Sequence, residues 1–450
     1  KQFQRLRNIK QLGTIDYAGW SNTSYSVAYL ARQMVSHLKA TQPRLEITDR
    51  DVDCVEIAGL CHDLGHGPWS HLWDGLFMPA ALKGRRWHHE EGSEMMFNDI
   101  IEERKIPIPV KDQLFIKALI AGDHSRTPYE KQFLFDIVAN KRNGFDVDKF
   151  DYIHRDNHLI GAPISFPLSC LIGSSRVIDN QICYNIKDAS HIYDLADSRF
   201  KLYKTIYNNV TSKAVNYMIT DALLAADPFM QIAQRVFNPK QYLTLTDDIM
   251  PQIEATTDPH LADARTIFER IHNRDRYECV STKIIEWPLR NIFKEQISGP
   301  RIVEAARKLC FDEVHPSSLT TSGSKGIGSL ENADVIVDFS TVHYGMKEKN
   351  PMDFVRFYSM EHPDSKDIIT FSFDPHLRSN TLPLGSLASL NAEPRLYSSI
   401  APPTYFAQVI LTIYPKKKEL SRLVQAGYGA VLASIEDSLD SDCGQLGYSG

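Results

Sequence analysis

The chain has 450 residues, of which 43% are hydrophobic and 24% are charged, a composition typical of a globular protein with two or three domains. The net charge of −6 excludes binding of phosphate-rich ligands through a global positive field, so such a ligand needs a local basic site. The sequence contains no apolar run of transmembrane length, and its seven dispersed cysteines favour reduced thiols in a nuclear or cytoplasmic setting.

Helical patterns dominate the chain up to about residue 280. Apolar spacing predicts a short basic helix at residues 3–12, an amphipathic helix at 27–38 and a third helix at 51–60, which Thr48 can cap. A long helical stretch is predicted at 195–226, where few residues break the pattern. The first part of the chain is therefore expected to be helical.

Strand-like runs occur late, at residues 335–339, 354–358, 368–373 and 407–414. A Ser/Gly-rich stretch at 317–329 lacks the Lys-Ser/Thr of a phosphate-binding loop, and we interpret it as a linker. The predicted fold is mainly α, with a helical domain at 1–280, a smaller α+β lobe at 281–435 and a polar, poorly ordered tail at 436–450.

The most informative stretch of the sequence is the run of histidines and aspartates from residue 61 to 74. It contains His62, Asp63, His66, His71 and Asp74, and neutral imidazole together with carboxylate suits a divalent transition ion. Adjacent side chains can reach one ion only where a helix ends, and the glycines and proline at 65, 67 and 68 supply that end. The alternative for a bare His-Asp pair is a surface hydrogen bond, but the apolar helix before it favours a metal site.

A second group of polar residues lies at positions 141–158. On a helix, Asp148, Tyr152 and Asp156 share one face, because they are spaced four residues apart. Two carboxylates and a phenol on one face are costly in a core and useful in a binding site, although this pattern taken alone slightly favours the alternative. The alternative is a solvated helix in which the acids pair with Lys149 and Arg155.

These stretches resemble the HD phosphohydrolase superfamily, and within it the SAM- and HD-domain-containing deoxynucleoside triphosphate (dNTP) triphosphohydrolases. The resemblance extends from residue 1 to about 435, does not include the SAM domain, and is strongest at residues 3–13, 57–71, 141–152, 218–222 and 344–351. It implies a helical HD core at 1–280 with a C-terminal α+β lobe. It also implies hydrolysis of a dNTP to a deoxynucleoside and triphosphate.

The resemblance implies roles for individual residues. The metal ligands are His62, Asp63 and Asp148, holding Zn, Fe or Mn, while Mg accompanies the nucleotides. The catalytic group is His66, Asp74 and His89. The substrate-binding residues are Gln11, Leu12, Lys149, Tyr152, Asp156, Arg199 and Tyr207, of which Tyr207 leaves no room for a 2′-hydroxyl.

The resemblance also implies that GTP and dNTPs bind between subunits and drive assembly of a homo-tetramer from monomers or dimers. The matching residues are Gln4 and Arg7 in a first, guanine-selective pocket and Arg176, Lys187, Arg274 and Lys349 in a second. The sequence departs from the family pattern at two places near these pockets. Asn185 replaces an arginine of the family, and Asn209-Val210 replaces a His-Lys pair.

A further departure affects the metal ligands. The family has an arginine and a first metal-binding histidine just before the segment that matches residues 24–31, but residues 13–27 of this chain contain no histidine. We therefore expect a metal shell of three protein residues and strongly reduced triphosphohydrolase activity, with water or Asp16 as the substitute ligand.

Two other functions remain open from the sequence. One is an HD phosphohydrolase that acts on another nucleotide, such as a nucleoside monophosphate or a cyclic nucleotide. The other is a catalytically silent protein that binds nucleotides or single-stranded nucleic acid. Inorganic triphosphate among the products would distinguish the first, and metal content together with turnover would distinguish the second.

Overall fold

The computed structural model describes residues 1–10, 23–85, 87–164, 166–312, 330–361 and 403–445. The described residues form seventeen α-helices and two three-stranded sheets, which confirms the predicted mainly α fold. Contacts group the described parts of the chain into unit 1 (Lys1–Tyr207, Leu223–Ala264, Tyr344–Phe406) and unit 2 (Asn208–Ala222, Arg265–His343, Ala407–Gly450). Each unit is discontinuous in sequence, whereas the sequence predicted one boundary near residue 280.

The helices alternate with short turns. They are α1 (Gln2–Leu6), α2 (Thr23–Thr41), α3 (Asp49–Cys61), α4 (Met78–Ala81), α5 (His89–Arg104), α6 (Val110–Ala121), α7 (Phe135–Val138), α8 (Val147–Leu159), α9 (Leu168–Ser174), α10 (Ala189–Lys201), α11 (Val210–Met230), α12 (Pro239–Tyr242), α13 (Ile249–Ala255), α14 (Ala262–His272), α15 (Arg290–Gln296), α16 (Gly299–Asp312) and α17 (Ser421–Gln445). Two π-helical segments, Trp73–Phe77 and Leu202–Tyr207, follow the histidine-rich stretch and α10.

The core of unit 1 is built around the close packing of α2 on α3. A Cβ on Gly59 would lie 3.2 Å from the Cβ of Ala31 and from the Cα of Ala28, so small residues allow the two helices to approach. Val27, Ala31, Val55 and Ala58 are fully buried at this contact. The apolar spacing that predicted these helices is therefore the surface on which they pack.

Unit 1 also contains a small sheet of order β1–β2–β5, made of β1 (Arg176–Ile178), β2 (Gln181–Asn185) and β5 (Phe357–Tyr358). The strands β1 and β2 form an antiparallel pair, whereas β5 lies parallel to β2. The sequence did not predict β1 and β2, because strands of three to five residues carry too short a period-2 pattern.

Unit 2 is built on an antiparallel sheet of order β3–β6–β4, made of β3 (Ser281–Glu286), β4 (Val335–His343) and β6 (Ala407–Pro415). Ser281 pairs with Ile413, and Val335 pairs with Pro415. The apolar side chains of this sheet join those of α15, α16 and α17 in one buried cluster. The predicted strands at 335–339 and 407–414 thus lie side by side.

The last helix corrects one expectation. Helix α17 continues to Gln445, whereas the sequence predicted a poorly ordered tail from residue 436. Ile435 is buried in the unit 2 cluster and Leu439 packs against it, so the apolar stripe of the helix extends beyond the predicted end. A Cβ on Gly427 would lie 2.3 Å from the carbonyl oxygen of Ile302, so glycine allows α17 to pack directly on α16.

Three other predictions differ from the structure, and two lie outside the described residues. Helix α1 ends at Leu6, earlier than the predicted helix at 3–12. The stretch 195–226 is interrupted, because Asn209 accepts a hydrogen bond from the backbone N–H of Thr211 and so caps a new helix. Of the predicted strand at 354–358, only Phe357–Tyr358 is a strand. The predicted linker at 317–329 and the strand at 368–373 lie outside the described residues.

Among the helices of the described residues, the structure shows none that is long and apolar enough to cross a membrane.

Candidate functional site

The His62-Asp63 pair lies at the end of helix α3. A capping box at Thr48 and Asp51 begins this helix, since each side chain bonds the backbone N–H of the other residue. The helix ends at Cys61, and a turn over residues 62–65 follows. The two adjacent side chains can therefore converge on one point, as the sequence predicted from the glycines and proline that follow them.

Three side chains converge where α3 ends and α8 begins. The Nε2 of His62 lies 3.2 Å from the Oδ1 of Asp63 and 3.3 Å from the Oδ1 of Asp148, which sits in the first turn of α8. One ligand atom of each residue lies within 4.8 Å of the others. The Nδ1 of His62 donates to the carbonyl of Gly59 at 2.8 Å, which directs Nε2 to the carboxylates. One imidazole and two carboxylates fit a divalent transition ion.

The electrostatics of this triad favour a positive charge at its centre. Burial opposes protonation of His62, but the carboxylates of Asp63 and Asp148 outweigh it and raise its pKa to about 10. Burial likewise opposes ionisation of Asp63 and Asp148, yet the facing imidazoles lower the pKa of both carboxyls. Two ionised carboxylates held around one imidazole create a negative potential that a bound cation can neutralise.

A second group, His66, Asp74 and His89, adjoins the triad. The Nδ1 of His89 donates to the Oδ2 of Asp74 at 2.6 Å, and the rings of His66 and His89 stack at 4.2 Å with an interplanar angle of 12°. The Nε2 of His66 lies 3.3 Å from the Oδ1 of Asp63. Burial opposes protonation of His89, but its hydrogen bond with Asp74 prevails and raises its pKa to about 9. The imidazole of His89 is therefore protonated on both ring nitrogens at neutral pH.

His71 was not among the predicted catalytic residues, although it belongs to the same histidine-rich run. Its ring lies edge-on to that of His66 at 5.3 Å and to that of His89 at 6.2 Å. Burial of the imidazole, followed by electrostatic repulsion from the neighbouring imidazoles, lowers the pKa of His71 to about 4, although the side chain keeps contact with solvent. His71 is therefore neutral at pH 7.

The loop that carries His66 is fixed by close backbone contacts with helix α5. A Cβ on Gly65 would lie 1.9 Å from the carbonyl oxygen of His89, so only glycine fits there. The hydroxyl of Ser93 accepts from the N–H of Gly65 and donates to the carbonyl oxygens of His62 or His89. These contacts hold the two catalytic candidates at a constant separation.

Three residues far away in the sequence also bond this loop, and the sequence did not predict them. Arg5 donates to the carbonyl of His66 at 2.7 Å, and the hydroxyl of Tyr242 donates to the carbonyl of Gly65 at 2.6 Å. The carboxylate of Asp247 accepts from the N–H of Trp69 at 2.8 Å, and Trp69 has a φ of 53°. The only sequence signal for Arg5 is its position in residues 3–13, one of the segments that most resemble the family.

Helix α8 presents the predicted polar face beyond Asp148. Asp156 is 3% exposed, accepts from the hydroxyl of Tyr207 and bonds the Nε of Arg155 at 3.2 Å. Tyr207 ends the π-helical segment after α10, and Arg199 of α10 lies 4.2 Å from the centre of the Tyr203 ring.

Two further side chains of α8 interact with Asp148 of the triad, the ammonium group of Lys149 and the phenol of Tyr152. Burial opposes protonation of Lys149, but the carboxylates of Asp146 and Asp148 outweigh it and raise the pKa of Lys149. The Nζ of Lys149 donates a hydrogen bond to Asp146 at 2.8 Å. Burial raises the pKa of Tyr152, as do Tyr203 and the carboxyl of Asp148. Pairwise interactions thus connect Lys149, Tyr152 and Arg199 with one another and with Asp148, and Tyr207 with Asp156.

Comparison with known proteins agrees with this arrangement. Residues 22–156, which include all three residues of the triad, match the family model of the HD domain. An HD domain-containing protein of Acanthamoeba polyphaga mimivirus is 30% identical over 317 residues, which are 62% of this chain and 68% of that protein. The chain belongs to the HD-domain family.

Other relatives of this HD-domain chain have a more specific name. The deoxynucleoside triphosphate triphosphohydrolase SAMHD1 of Bos taurus is 39% identical over 398 residues, and the SAMHD1 homolog of Dictyostelium discoideum is 37% identical over 371. The alignments cover 79% and 80% of this chain, which confirms the resemblance stated from the sequence. The chain spans 65% and 66% of the length of these relatives, just under two thirds.

Five of the six predicted regulatory residues of this HD-domain protein are exposed, and the sixth, Arg176, is half-buried. Gln4 is exposed on α1, Arg7 is exposed directly after that helix, and Lys187 and Lys349 are also exposed in unit 1. Arg176 lies on β1 in the same unit, with its guanidinium 5.8 Å from the centre of the Tyr358 ring. Asn185, which replaces an arginine of the family, accepts from the N–H of Lys187 at 3.0 Å.

Arg274 lies in unit 2, at the rim of a cavity of about 460 Å³. The charged residues that line the cavity are three cations, Arg274, Arg276 and Lys418, and two acids, Asp275 and Glu278; Val210 of the departure noted above also lines it. Arg274 has a φ of 59°, so a left-handed turn presents it at the cavity. Gln11, Leu12 and the histidine-free stretch at 13–22 lie outside the described residues, so the expectations about them remain predictions.

Proposed function

We propose that this chain is a metal-dependent dNTP triphosphohydrolase, which converts a dNTP into a deoxynucleoside and inorganic triphosphate. The observation that carries the proposal is the continuity between the His62-Asp63-Asp148 triad and the cationic side chains of Lys149 and Arg199. A triphosphate needs both features, because its charge must be neutralised while one phosphorus is attacked. The names of the relatives in Bos taurus and Dictyostelium discoideum point to the same chemistry.

The donor set fits one divalent cation, Zn, Fe or Mn, held by His62, Asp63 and Asp148. Such an ion supplies Lewis acidity to a phosphate oxygen and lowers the pKa of a nearby water. Asp148 would reach such an ion from the first turn of α8, whereas His62 and Asp63 would reach it from the turn after α3. Its position therefore depends on the packing of α8 against the rest of unit 1.

His89 is proposed to protonate the leaving 5′-oxygen. Asp74 accepts the Nδ1–H of His89, and the raised pKa keeps a second proton on Nε2 at neutral pH. As water adds to the α-phosphorus, the bond to the 5′-oxygen breaks and that oxygen takes the Nε2 proton. The proton that the attacking water loses then restores His89. The stacked ring of His66 supports the orientation of His89.

Phosphate and sugar are proposed to bind along helices α8 and α10. Lys149 contributes a point charge, and Arg199 contributes a planar fork, to the triphosphate, with Tyr152 between them. Asp156 binds the 3′-hydroxyl, and the ring of Tyr207 occupies the space of a 2′-hydroxyl. The hydrogen bond from Tyr207 to Asp156 supports this pairing, because it fixes the phenol against the carboxylate.

We further propose that GTP and dNTPs, with Mg, activate the protein by driving a homo-tetramer. Support for a nucleotide-binding surface in unit 2 comes from a cavity in which Arg274, Arg276 and Lys418 outnumber Asp275 and Glu278, because a surplus of cations suits a polyphosphate. In unit 1, Gln4 on α1 and Arg7 directly after it are both exposed, as a ligand at a subunit interface requires.

The test is a panel of dNTPs, NTPs, a nucleoside monophosphate and a cyclic nucleotide, each assayed for inorganic triphosphate and for nucleoside. We expect triphosphate from dNTPs, and we expect its loss in Asp148→Asn but not in Asp53→Asn, which changes an exposed carboxylate of α3. Release of phosphate or pyrophosphate from other nucleotides would replace the proposal by another HD phosphohydrolase. Turnover of no nucleotide by a metal-loaded protein would favour a nucleotide or single-stranded nucleic-acid binder.

A further inference from the structure

The turn that follows His66 contains two consecutive residues in a strained backbone conformation. Trp69 has a φ of 53° and Ser70 has a φ of 54°, values that residues other than glycine rarely adopt. Both residues are buried. Strained residues persist only where the surrounding structure fixes them, and they cluster at functional sites. The contacts that hold this turn therefore bear on the site beside it.

The strained turn orients the imidazole of His66. The hydroxyl of Ser70 lies 3.2 Å from the Nδ1 of His66. The Nε2 of the same ring lies 3.3 Å from the Oδ1 of Asp63, and the ring stacks on that of His89. A hydrogen-bond partner on one imidazole nitrogen fixes the tautomer and the direction of the other nitrogen. Ser70 therefore couples the backbone of the turn to the position of the His66 ring.

Asp247 holds the turn from a position 178 residues away in the sequence. Its Oδ1 accepts a hydrogen bond from the N–H of Trp69 at 2.8 Å, and its Oδ2 accepts one from the N–H of Lys10 at 2.9 Å. The N–H of Asp247 donates to the carbonyl of Asn8 at 3.1 Å. One carboxylate thus joins the first strained residue of the turn to the segment that follows α1.

A carboxylate at position 247 has an energetic cost. Burial raises the pKa of Asp247 to about 6, although the N–H groups of Trp69 and Lys10 lower it. The group is nevertheless ionised at neutral pH, and each of its two oxygens accepts from a different backbone segment. An amide has only one acceptor oxygen and cannot replace both bonds. A charge retained at this cost indicates a role in addition to stability.

We propose that Asp247 is a positioning residue for the proposed hydrolysis, and that it acts on His66 through Trp69 and Ser70. The carboxylate holds the N–H of Trp69 and so stabilises the left-handed turn. The turn presents the hydroxyl of Ser70 to His66, and the ring of His66 supports that of His89, the proposed proton donor. Without the carboxylate, the turn relaxes toward ordinary backbone angles and the ring of His66 loses its direction.

The catalytic consequence rests on the proposed function, but the orientation of His66 does not. The alternative is that Asp247 only stabilises the fold. In that case its replacement lowers the free energy of unfolding and leaves both the His66 ring and the kcat of the folded protein unchanged. The environment of one imidazole therefore distinguishes the two cases without any turnover.

The experiment compares the wild type with Asp247→Asn, Ser70→Ala, the double variant and the control Asp248→Asn, which changes the exposed neighbouring carboxylate. NMR spectra of isotope-labelled histidine side chains report the state of each imidazole, and His66→Gln assigns the signals of His66. We expect these signals to shift in Asp247→Asn and in Ser70→Ala and to stay in place in Asp248→Asn. Unshifted His66 signals in folded Asp247→Asn would overturn the positioning role.

Hydrolysis of a dNTP gives the second measurement. We expect kcat to fall about tenfold in Asp247→Asn and in Ser70→Ala while KM changes little, because neither residue is among those proposed to bind phosphate or sugar. The double variant should also fall about tenfold, since both changes break one chain of contacts. A fall of about a hundredfold in the double variant, or an equal fall in Asp248→Asn, would overturn the action through Ser70.

Two further outcomes are decided by the same measurements. If Asp247→Asn does not fold, Asp247→Ser, which keeps one acceptor on a smaller side chain, replaces it with the same expectations. Absence of all dNTP hydrolysis in the wild type would refute the proposed function. The NMR signals of His66 would then still decide whether Asp247 positions that ring.

Discussion

The guanidinium of Arg5 donates a 2.7 Å hydrogen bond to the backbone carbonyl of His66, sixty-one residues away in the sequence. Its Nε also donates to the carbonyl of Tyr242 at 2.9 Å, and the side chain is only 3% exposed. Arg5 lies on α1 between Gln4 and Arg7, the two residues proposed to bind an activating nucleotide. The segment that carries those residues, α1 and the residue after it, is therefore bonded directly to the loop that carries His66.

The first prediction concerns Arg5. In Arg5→Lys, a compact ammonium replaces a planar fork and cannot reach both carbonyl groups, so we expect a loss of roughly 1–3 kcal/mol in the free energy of unfolding. We also expect a fall in kcat, because the carbonyl of His66 loses its donor. Urea unfolding and steady-state kinetics measure the two effects, with the exposed Arg104→Lys as the matched control. Unchanged stability and kcat would show that the bond to His66 is dispensable.

The second prediction concerns the metal shell. With His62, Asp63 and Asp148 as its protein ligands, the ion should be lost in Asp148→Ala, because only two donors of that triad remain. We also expect dNTP turnover of the wild type to be strongly reduced relative to that of its SAMHD1 relatives. Metal analysis after gel filtration and a triphosphate assay test both points. Rapid hydrolysis by protein of verified sequence would contradict the predicted loss of the first histidine ligand.

The third prediction concerns sugar selectivity. Deoxynucleotides should be hydrolysed in preference to ribonucleotides, because the Tyr207 ring fills the space of a 2′-hydroxyl. Tyr207→Phe keeps the ring and loses the bond to Asp156, so the preference for dGTP over GTP should persist. Tyr207→Ala should lower that preference by at least about tenfold. Equal kcat/KM for GTP and dGTP in the wild type would count against the assignment.

The fourth prediction concerns assembly. GTP with a dNTP should shift the protein toward a tetramer, since ligand at a hundredfold excess over its Kd favours the liganded form by about 2.7 kcal/mol. Arg274→Ala removes a cation from the unit 2 cavity and should weaken the shift, whereas Arg104→Ala should not. Sedimentation velocity measures the species. If the same species is found with and without nucleotides, the departures at Asn185 and Asn209 are the first residues to revert.

The fifth prediction concerns the pH dependence of stability. Burial of Asp136 outweighs its ion pair with Arg142 and raises the pKa of that carboxyl to about 6. The folded state thus binds more protons than the unfolded state between about pH 4 and 6, so the stability contributed at this residue falls as the pH rises through that range and stays low above it.

Asp136→Asn keeps an acceptor but does not ionise. Relative to the wild type, the variant should gain on the order of 1–3 kcal/mol in unfolding free energy between pH 4.5 and 7. Urea unfolding of both proteins at the two pH values measures this difference. Asp53→Asn changes an exposed carboxylate and should show no such change. If the difference in unfolding free energy between Asp136→Asn and the wild type is the same at both pH values, the burial argument is wrong.

The sequence by itself determined the local parts of the candidate site. The capping box at Thr48 and the glycines after Asp63 define where α3 begins and ends, because capping and chain breaking depend on residues within a few positions. The spacing of Asp148, Tyr152 and Asp156 likewise defines one face of α8. Such features follow from helical geometry alone.

Only the tertiary structure decided what surrounds these local parts. Arg5, Tyr242 and Asp247 reach the His66 loop from positions 60 to 180 residues away, and no local pattern distinguishes them from other buried polar residues. The continuation of helix α17 beyond residue 436 also depends on its packing against the unit 2 cluster. Long-range hydrogen bonds and apolar packing form only when distant segments meet, so the sequence pattern near each residue does not contain them.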